Sequence, residues 1–268
     1  MNDDNKIIIP IADIDVLLLN NYKLNITIQL MNALAEANVL TIICNNKYLP
    51  QSYILPIIGN WNTLKVLERQ LNWNNIYCAK LWKEIIRQKI NNQISMLKDV
   101  VQNKTYSELV SLVDNLKDFD ISNREGHASK IYWHNLFGIN FKRHDNDYYN
   151  KLLDYGYTIL RGYVTRSIVK KGLDPRISIF HKSFHNYFEL ASDLMEPFRI
   201  LIDYEVYKIY KSKEINFYKH KDLLIQAFNK KMFVDDKKHF INNAIDKFVD
   251  DIVGQTKLPI IKLDYESL

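Results

Sequence analysis

Apolar residues open this chain in runs too short for helices. Ile7-Ile8-Ile9-Pro10, Val16-Leu17-Leu18-Leu19 and Leu40-Thr41-Ile42-Ile43-Cys44 predict short buried strands. Between the last two, Ile26, Ile28, Leu30, Met31 and Leu34 predict a helix over 24–37. Gly59-Asn60-Trp61-Asn62 then punctuates the pattern, and the period lengthens. Trp82, Ile86, Ile90, Ile94 and Leu97 form a stripe at mostly four-residue spacing. The segment 149–171 predicts a helix closed by Gly172, and Phe240, Ile241, Ala244, Ile245, Phe248, Val249 and Ile252 predict a last one stopped by Gly254. These stripes are core faces. The pattern predicts an α+β chain, with a small β-rich unit over 1–60 followed by an all-helical unit over 61–268. Residues 257–268 are expected to dock as an extended segment or fray. No internal repeat or low-complexity linker interrupts the pattern.

Composition narrows the class. Hydrophobic residues make up 47% of the 268 and aromatics 12%, enough for a real core and too many for a disordered tail. Only 7 Gly and 6 Pro occur, which disfavours a turn-rich all-β architecture. Cys44 and Cys78 lack zinc-ribbon or redox spacing and are expected to be buried reduced thiols. Residues 1–6 do not have the form of a secretory leader, and the apolar runs are broken by charge, so a cytoplasmic protein without a membrane span is expected.

The formal charge of +5 matters only where it concentrates. Between Thr158 and Lys182 stand Arg161, Arg166, Lys170, Lys171, Arg176 and Lys182 against Asp174 alone. That window is either a solvated helix face or a groove for a phosphodiester backbone. It leads into the densest chemistry of the chain, His181 and then Asp193-Leu194-Met195-Glu196-Pro197-Phe198-Arg199. Asp193 and Glu196 are spaced to share one face of a helix. No residue adjacent in sequence neutralises them, and with His181 they are a donor set that Mg²⁺, Mn²⁺ or Zn²⁺ accepts. The same spacing suits a helix N-cap and its third-position partner, although Pro197 would then forfeit the first intrahelical bond. Spacing does not decide between them. Glu125, between Arg124 and Gly126, is likewise open to a capping role.

The order of motifs adds a resemblance. Asn123-Arg124-Glu125-Gly126-His127-Ala128-Ser129-Lys130, Leu136 to Arg143 with Gly138 and Phe141, Tyr155-Gly156-Tyr157, His181, and Asp193 to Arg199 resemble the CRISPR-associated adaptation integrase, CRISPR-associated protein one, most closely its type II branch. The resemblance covers nearly the whole chain, since 59–73 and 81–93 also look like that family's interdomain and first long helices. It implies an N-terminal β-domain that dimerises and an all-helical catalytic domain. It implies metal ligands at Glu125, His181 and Glu196, with Asp193 behind them or as an auxiliary ligand. Mg²⁺ or Mn²⁺ is the expected cofactor, because oxygens outnumber the single imidazole and no thiolate takes part. Arg124, Arg143, Arg166 and Lys182 are candidate phosphate contacts.

Three departures stand out. Ser178-Ile179-Phe180 replace the residues that usually precede the histidine, so only His181 remains as an imidazole ligand, and Asp154 stands where Asn usually precedes Tyr-Gly-Tyr. The family usually carries one or two further strands before the segment matching 6–19, so the β-domain is expected to lack its first strands and expose an edge, which bears on homodimerisation.

The implied activity is spacer acquisition: metal-dependent transesterification that inserts foreign DNA fragments at a CRISPR repeat, with associated endonuclease activity. The implied partners are double-stranded DNA (prespacer and repeat), CRISPR-associated protein two, a second copy of the chain, and other type II CRISPR proteins. The alternatives are a plain metal-dependent DNase and a non-catalytic DNA-binding or assembly subunit. Seventeen tyrosines raise a covalent tyrosine mechanism, but the Arg/His set that such a nucleophile needs is not assembled in the sequence.

Overall fold

The structure, a computed structural model, describes residues 7–21, 23–182 and 186–265. Residues 1–6, 183–185 and 266–268, on which parts of the leader, site-loop and tail expectations fall, lie outside them.

β1 (Val16–Leu19), α1 (Ile28–Glu36) and β2 (Leu40–Cys44) form a crossover unit, with β1 parallel to β2 in the register Val16 to Leu40. Thr27 caps α1 by accepting from the Leu30 N–H. β2 returns antiparallel into β3 (Pro50–Ile54), so the sheet order is β1-β2-β3. Ile7 to Pro10 is no strand. Ile7 and Ile8 are each 81% exposed, and among the described residues no strand pairs with the run. Pro10 lacks an N–H and hands the chain to a 3₁₀ turn at Ile11–Asp13, so the β-branched run has no ladder to join.

Among the described residues, seven helices pack around two long ones over most of 63–254. After α2 (Thr63–Leu71), α3 (Asn75–Ser95) buries Trp82, Ile86 and Ile90 as predicted and runs on into a π turn at Met96–Val100. α4 (Tyr106–Asp114) and α5 (Arg124–Phe137) pack against it. α6 (Tyr148–Lys170) ends where predicted, at Gly172, whose φ of +86° is left-handed and turns the chain out of the helix. α7 (Glu189–Leu194), α8 (Ile200–Ser212), α9 (Phe217–Gln226) and α10 (Ile241–Gly254) surround α6. Gly254 is still helical, and Gln255 takes the left-handed cap at φ 53°.

The α+β class holds, but the larger part is not wholly helical. β4 (Lys231–Val234), β5 (Lys237–Phe240) and β6 (Ile261–Leu263) form a second three-stranded antiparallel sheet in the order β5-β4-β6. Phe240, expected in the last helix, ends β5, and the C-terminal segment docks as an extended strand. No described helix is long and apolar enough to cross a membrane.

Candidate active site

Three separate pieces of chain, 120–125, 179–181 and 193–199, converge on α3. α5 supplies Glu125, and its start is set by Asp120, whose two carboxylate oxygens accept from the Arg124 and Glu125 N–H groups at 2.8 Å each. Asp120 therefore does the capping that Glu125 was free to do, leaving the Glu125 side chain for the site. Glu196 opens a 3₁₀ turn at Glu196–Phe198, held against α3 by Asn92, which donates to the Pro197 carbonyl at 2.8 Å. Asp193 lies inside α7, wholly buried, and caps nothing. Its carboxylate accepts from the Ile179 and Phe180 N–H groups at 2.9 Å and from His181 Nδ1 at 2.6 Å. It builds the loop that presents His181 and fixes the proton on Nδ1, leaving Nε2 to face outward. Trp82 meets the imidazole edge-on and stacks on Phe180, walling the same loop.

Glu125, His181 and Glu196 line one cavity of about 780 Å³, together with Lys89, Arg143 and Arg199. The unexpected member is Lys89 of α3. Its Nζ lies 2.5 Å from Glu125 Oε1 and 2.6 Å from Glu196 Oε2, with the lysine side chain only 12% exposed. The carboxylates that no sequence neighbour neutralises are neutralised from another helix. Burial works to discharge Lys89, but Glu196 and Glu125 outweigh it and hold its pKa above the ordinary lysine value. Burial likewise works to raise the Glu125 carboxyl; the Lys89 charge and hydrogen bonds from Lys89 and Ser129 hold it below the usual range. The hydrogen bond to Asp193 raises His181, against burial.

Arg199 closes the far side. It pairs with Glu196 Oε1 at 2.8 Å and lies over the Tyr157 ring at 4.7 Å. Tyr157 in turn donates to the buried Asp203, which also accepts from Tyr132 at 3.0 Å. Burial pushes the Asp203 carboxyl up to about 6 in spite of both donors.

Among the described residues no three His, Cys, Asp or Glu side chains are disposed, as they stand, to hold a metal ion. Lys89 lies between the two carboxylates that would have to meet. The donor chemistry nevertheless fits a hard divalent cation. Two carboxylates and an imidazole face one cavity, and Glu196 Oε2 is buried with only the Lys89 ammonium against it, at 2.6 Å.

The proposed phosphate contacts fare unequally. Arg143 lines the cavity, braced by Asp154 at 2.7 Å and Asn150 at 3.1 Å, so the aspartate that departs from the family pattern has a partner. Arg124 is half-buried beside Glu125, and Lys182 is exposed next to His181. Arg166 does not serve. It is buried, pairs with Asp15 at 2.7 Å and donates to the Asn38 carbonyl, tying α6 to the N-terminal unit. Lys170, Lys171 and Arg176 are likewise paired, with Asp246, Asp250 and Asp174. The basic window resolves largely into internal ion pairs.

Residues 1–237 match the sequence profile of the family described as CRISPR associated protein Cas1. The chain is also 33% identical over 265 residues to the CRISPR-associated endonuclease Cas1 of Neisseria meningitidis serogroup C (strain 8013), covering 94% of this chain and 87% of that one. This chain belongs to the Cas1 family. Solved structures agree on the fold. A CAS1 protein from Thermotoga maritima matches with a TM-score of 0.73 at 15% identity, covering 94% of this chain and 90% of that one. A casposase bound to an integration product matches with 0.63 at 20% (90% and 82%), and a chain of a partial Cas6-RT-Cas1–Cas2 complex with 0.64 at 20% (89% and 83%).

In this Cas1-family chain, sequence reasoning missed Lys89, Asp120 and the bracing role of Arg199. Lys89 had a signal. Gln88, Lys89, Asn92 and Gln93 put polar groups into a helix whose apolar period continues on both sides, and Gln88, Asn92 and Gln93 are buried. Polar groups buried inside an apolar stripe need partners from elsewhere in the fold.

Proposed function

We propose that this protein is a CRISPR spacer-acquisition integrase with associated DNA endonuclease activity, acting on DNA phosphodiesters with Mg²⁺ or Mn²⁺. The observation that carries the reading is the convergence of Glu125, His181 and Glu196, remote in sequence, on one cavity flanked by Arg143 and Arg199. Membership of a family whose Neisseria member is named an endonuclease, and a fold shared with a casposase caught on an integration product, support the same class.

Glu125, Glu196 and His181 Nε2 would hold the ion, with Asp193 fixing the imidazole. Bound there, the ion supplies Lewis acidity to the scissile phosphodiester. Arg199, locked between Glu196 and Tyr157, cannot swing away, so its charge stays aimed at the cavity. Arg143 adds a second cation over the same ring at 5.2 Å. These groups position the backbone of a repeat phosphodiester for in-line attack by the 3′-hydroxyl of a captured fragment. One P–O bond forms, the bond to the 3′-oxygen of the repeat breaks, and no nucleotide hydrolysis is needed. With water as nucleophile the same site nicks DNA.

The assembly extends the proposal. The chain divides at about residue 60, and the smaller unit joins a second copy. Ile57, Ile58, Trp61 and Leu64, in a short stretch that spans this division, are all exposed, Trp61 being 93% exposed, which supports burial against a protein surface. A Cas2-type partner fits a fold also found in a Cas1–Cas2 complex, and the motifs favour a type II system in the cytoplasm.

The test combines repeat-bearing supercoiled plasmid, a short duplex with free 3′-hydroxyls, and Mn²⁺. Joined product is expected, and Glu125→Ala or Glu196→Ala should lower joining by at least about a hundredfold while DNA still binds. Nicking without joining would select the plain DNase. Shifted but unreacted DNA would select the binding subunit.

A further inference from the structure

Two cations want the same oxygens. The Lys89 ammonium sits between Glu125 Oε1 and Glu196 Oε2, at 2.5 and 2.6 Å. A Mg²⁺ ion demands carboxylate oxygens at about 2.0–2.1 Å in near-octahedral order. It cannot take those two oxygens while a positive charge stands in contact with both. Removing the ammonium without replacing it would leave Glu196 Oε2 buried with no partner of its own, Arg199 being on Oε1.

Resting on the metal reading above, we propose that the Lys89 ammonium and the divalent cation are alternative occupants of one position. Lys89 holds the carboxylates in place while the ion is away and withdraws into the adjoining cavity when it binds.

The surroundings fit an exchange of this kind. Glu196 keeps a second cation that does not move: Arg199 grips Oε1 and is clamped on the Tyr157 face. Ser129 remains on Glu125 Oε1 at 3.0 Å, so neither carboxylate is released when Lys89 leaves. Lys89 is the group built to leave, a compact charge on a flexible four-carbon stem. It already lines the cavity of about 780 Å³, which has room for the displaced side chain. Asp193 keeps His181 oriented in both states, because its bonds involve neither Lys89 nor the two glutamates.

The experiment measures Mn²⁺ binding by calorimetry on the full chain, with thermal melts in EDTA and in Mn²⁺. Lys89→Met should bind Mn²⁺ at least about tenfold more tightly than wild type, since the ion no longer competes with a tethered charge. It should also melt at least about 5 °C lower in EDTA and recover most of the loss in Mn²⁺. Lys89→Arg, which keeps a cation, should melt in EDTA close to wild type. Amine labelling of the unaltered protein, read by peptide mass, gives a second readout that needs no variant: Lys89 should label faster with Mn²⁺ than with EDTA. Unchanged affinity in Lys89→Met together with unchanged labelling of wild-type Lys89 would overturn the exchange. Glu196→Gln separates the two levels. If it binds Mn²⁺ as wild type does, the metal reading itself fails and the exchange falls with it.

Discussion

Asp193 shows how much one side chain can decide. Its carboxylate accepts from two loop N–H groups and from an imidazole, and it has no exposure to solvent. In Asp193→Asn the amide has one accepting oxygen and one donating NH₂. If the oxygen stays on the loop, the NH₂ faces His181 Nδ1, which must then accept, moving the ring proton to Nε2. That is the wrong tautomer for a ligand. Two results are expected, one with and one without metal. Mn²⁺ affinity should fall by about 10–100-fold. In EDTA, the His181 pKa, raised in wild type mainly by the Asp193 hydrogen bond, should drop back, which NMR titration of the imidazole protons would read. The sign for stability follows. A raised histidine pKa contributes stability that is complete below the unfolded value and is lost as pH rises through the folded one. Asp193→Asn should therefore cost more below about pH 6.5 than at pH 9. The imidazole is half exposed, so this pH-dependent part is small beside the loss of the buried loop bonds. An equal cost at both pH values would place Asp193 in the loop alone.

At the scale of elements, the site depends on where α5 begins. Asp120 accepts two of its first N–H groups from a backbone held left-handed at Phe119, Asp120 and Asn123. Asp120→Ala should cost about 1–2 kcal/mol in urea unfolding. Because Glu125 is itself one of the two capped residues, joining activity should fall further than folding does at a temperature where the variant is still native. Asp120→Asn should restore part of both.

Elements also mark the limits of what was legible. α6 and α10 were plain because the helical period, Gly172 and the Gly254 region all agree. The hairpin of β4 and β5 was not, because its turn is Asp235-Asp236, both at positive φ (46° and 63°), without the glycine that signals such turns. Ile7 to Ile9 misled in the other direction: β-branched residues announce a strand, but only a neighbouring strand can make one. At the site, Glu125, His181 and Glu196 were legible through the resemblance, with spacing leaving capping open. Lys89 was not, because its partners lie on α5 and in the turn that begins at Glu196, and only the tertiary fold brings those to α3.

For the whole molecule, the question is how the small sheet is coupled to the helical body. Arg166, lost as a DNA contact, is part of the answer, binding Asp15 and the Asn38 carbonyl from α6. Tyr53 donates to the Thr158 carbonyl, and Lys221 of α9 donates to the Tyr48 carbonyl at 3.1 Å. Gly162 allows the approach: a Cβ there would lie 2.9 Å from a Leu40 methyl and 3.4 Å from Ile42 and the Tyr53 ring. Gly162→Ala should therefore stay within about 1 kcal/mol of wild type, because the gain in helix propensity offsets the displacement of one flexible methyl. Gly162→Val cannot be absorbed in that way. Its branches meet Ile42 and Tyr53, and overpacking of this kind costs about 1–3 kcal/mol. The cost should fall on the seam. Hydrogen exchange should show faster exchange at the β2 amides of 40–44, with the α3 amides of 85–93 unchanged. Acceleration in both places would mean that the sheet and the site-bearing helix open as one unit, and that the seam transmits strain to the carboxylates.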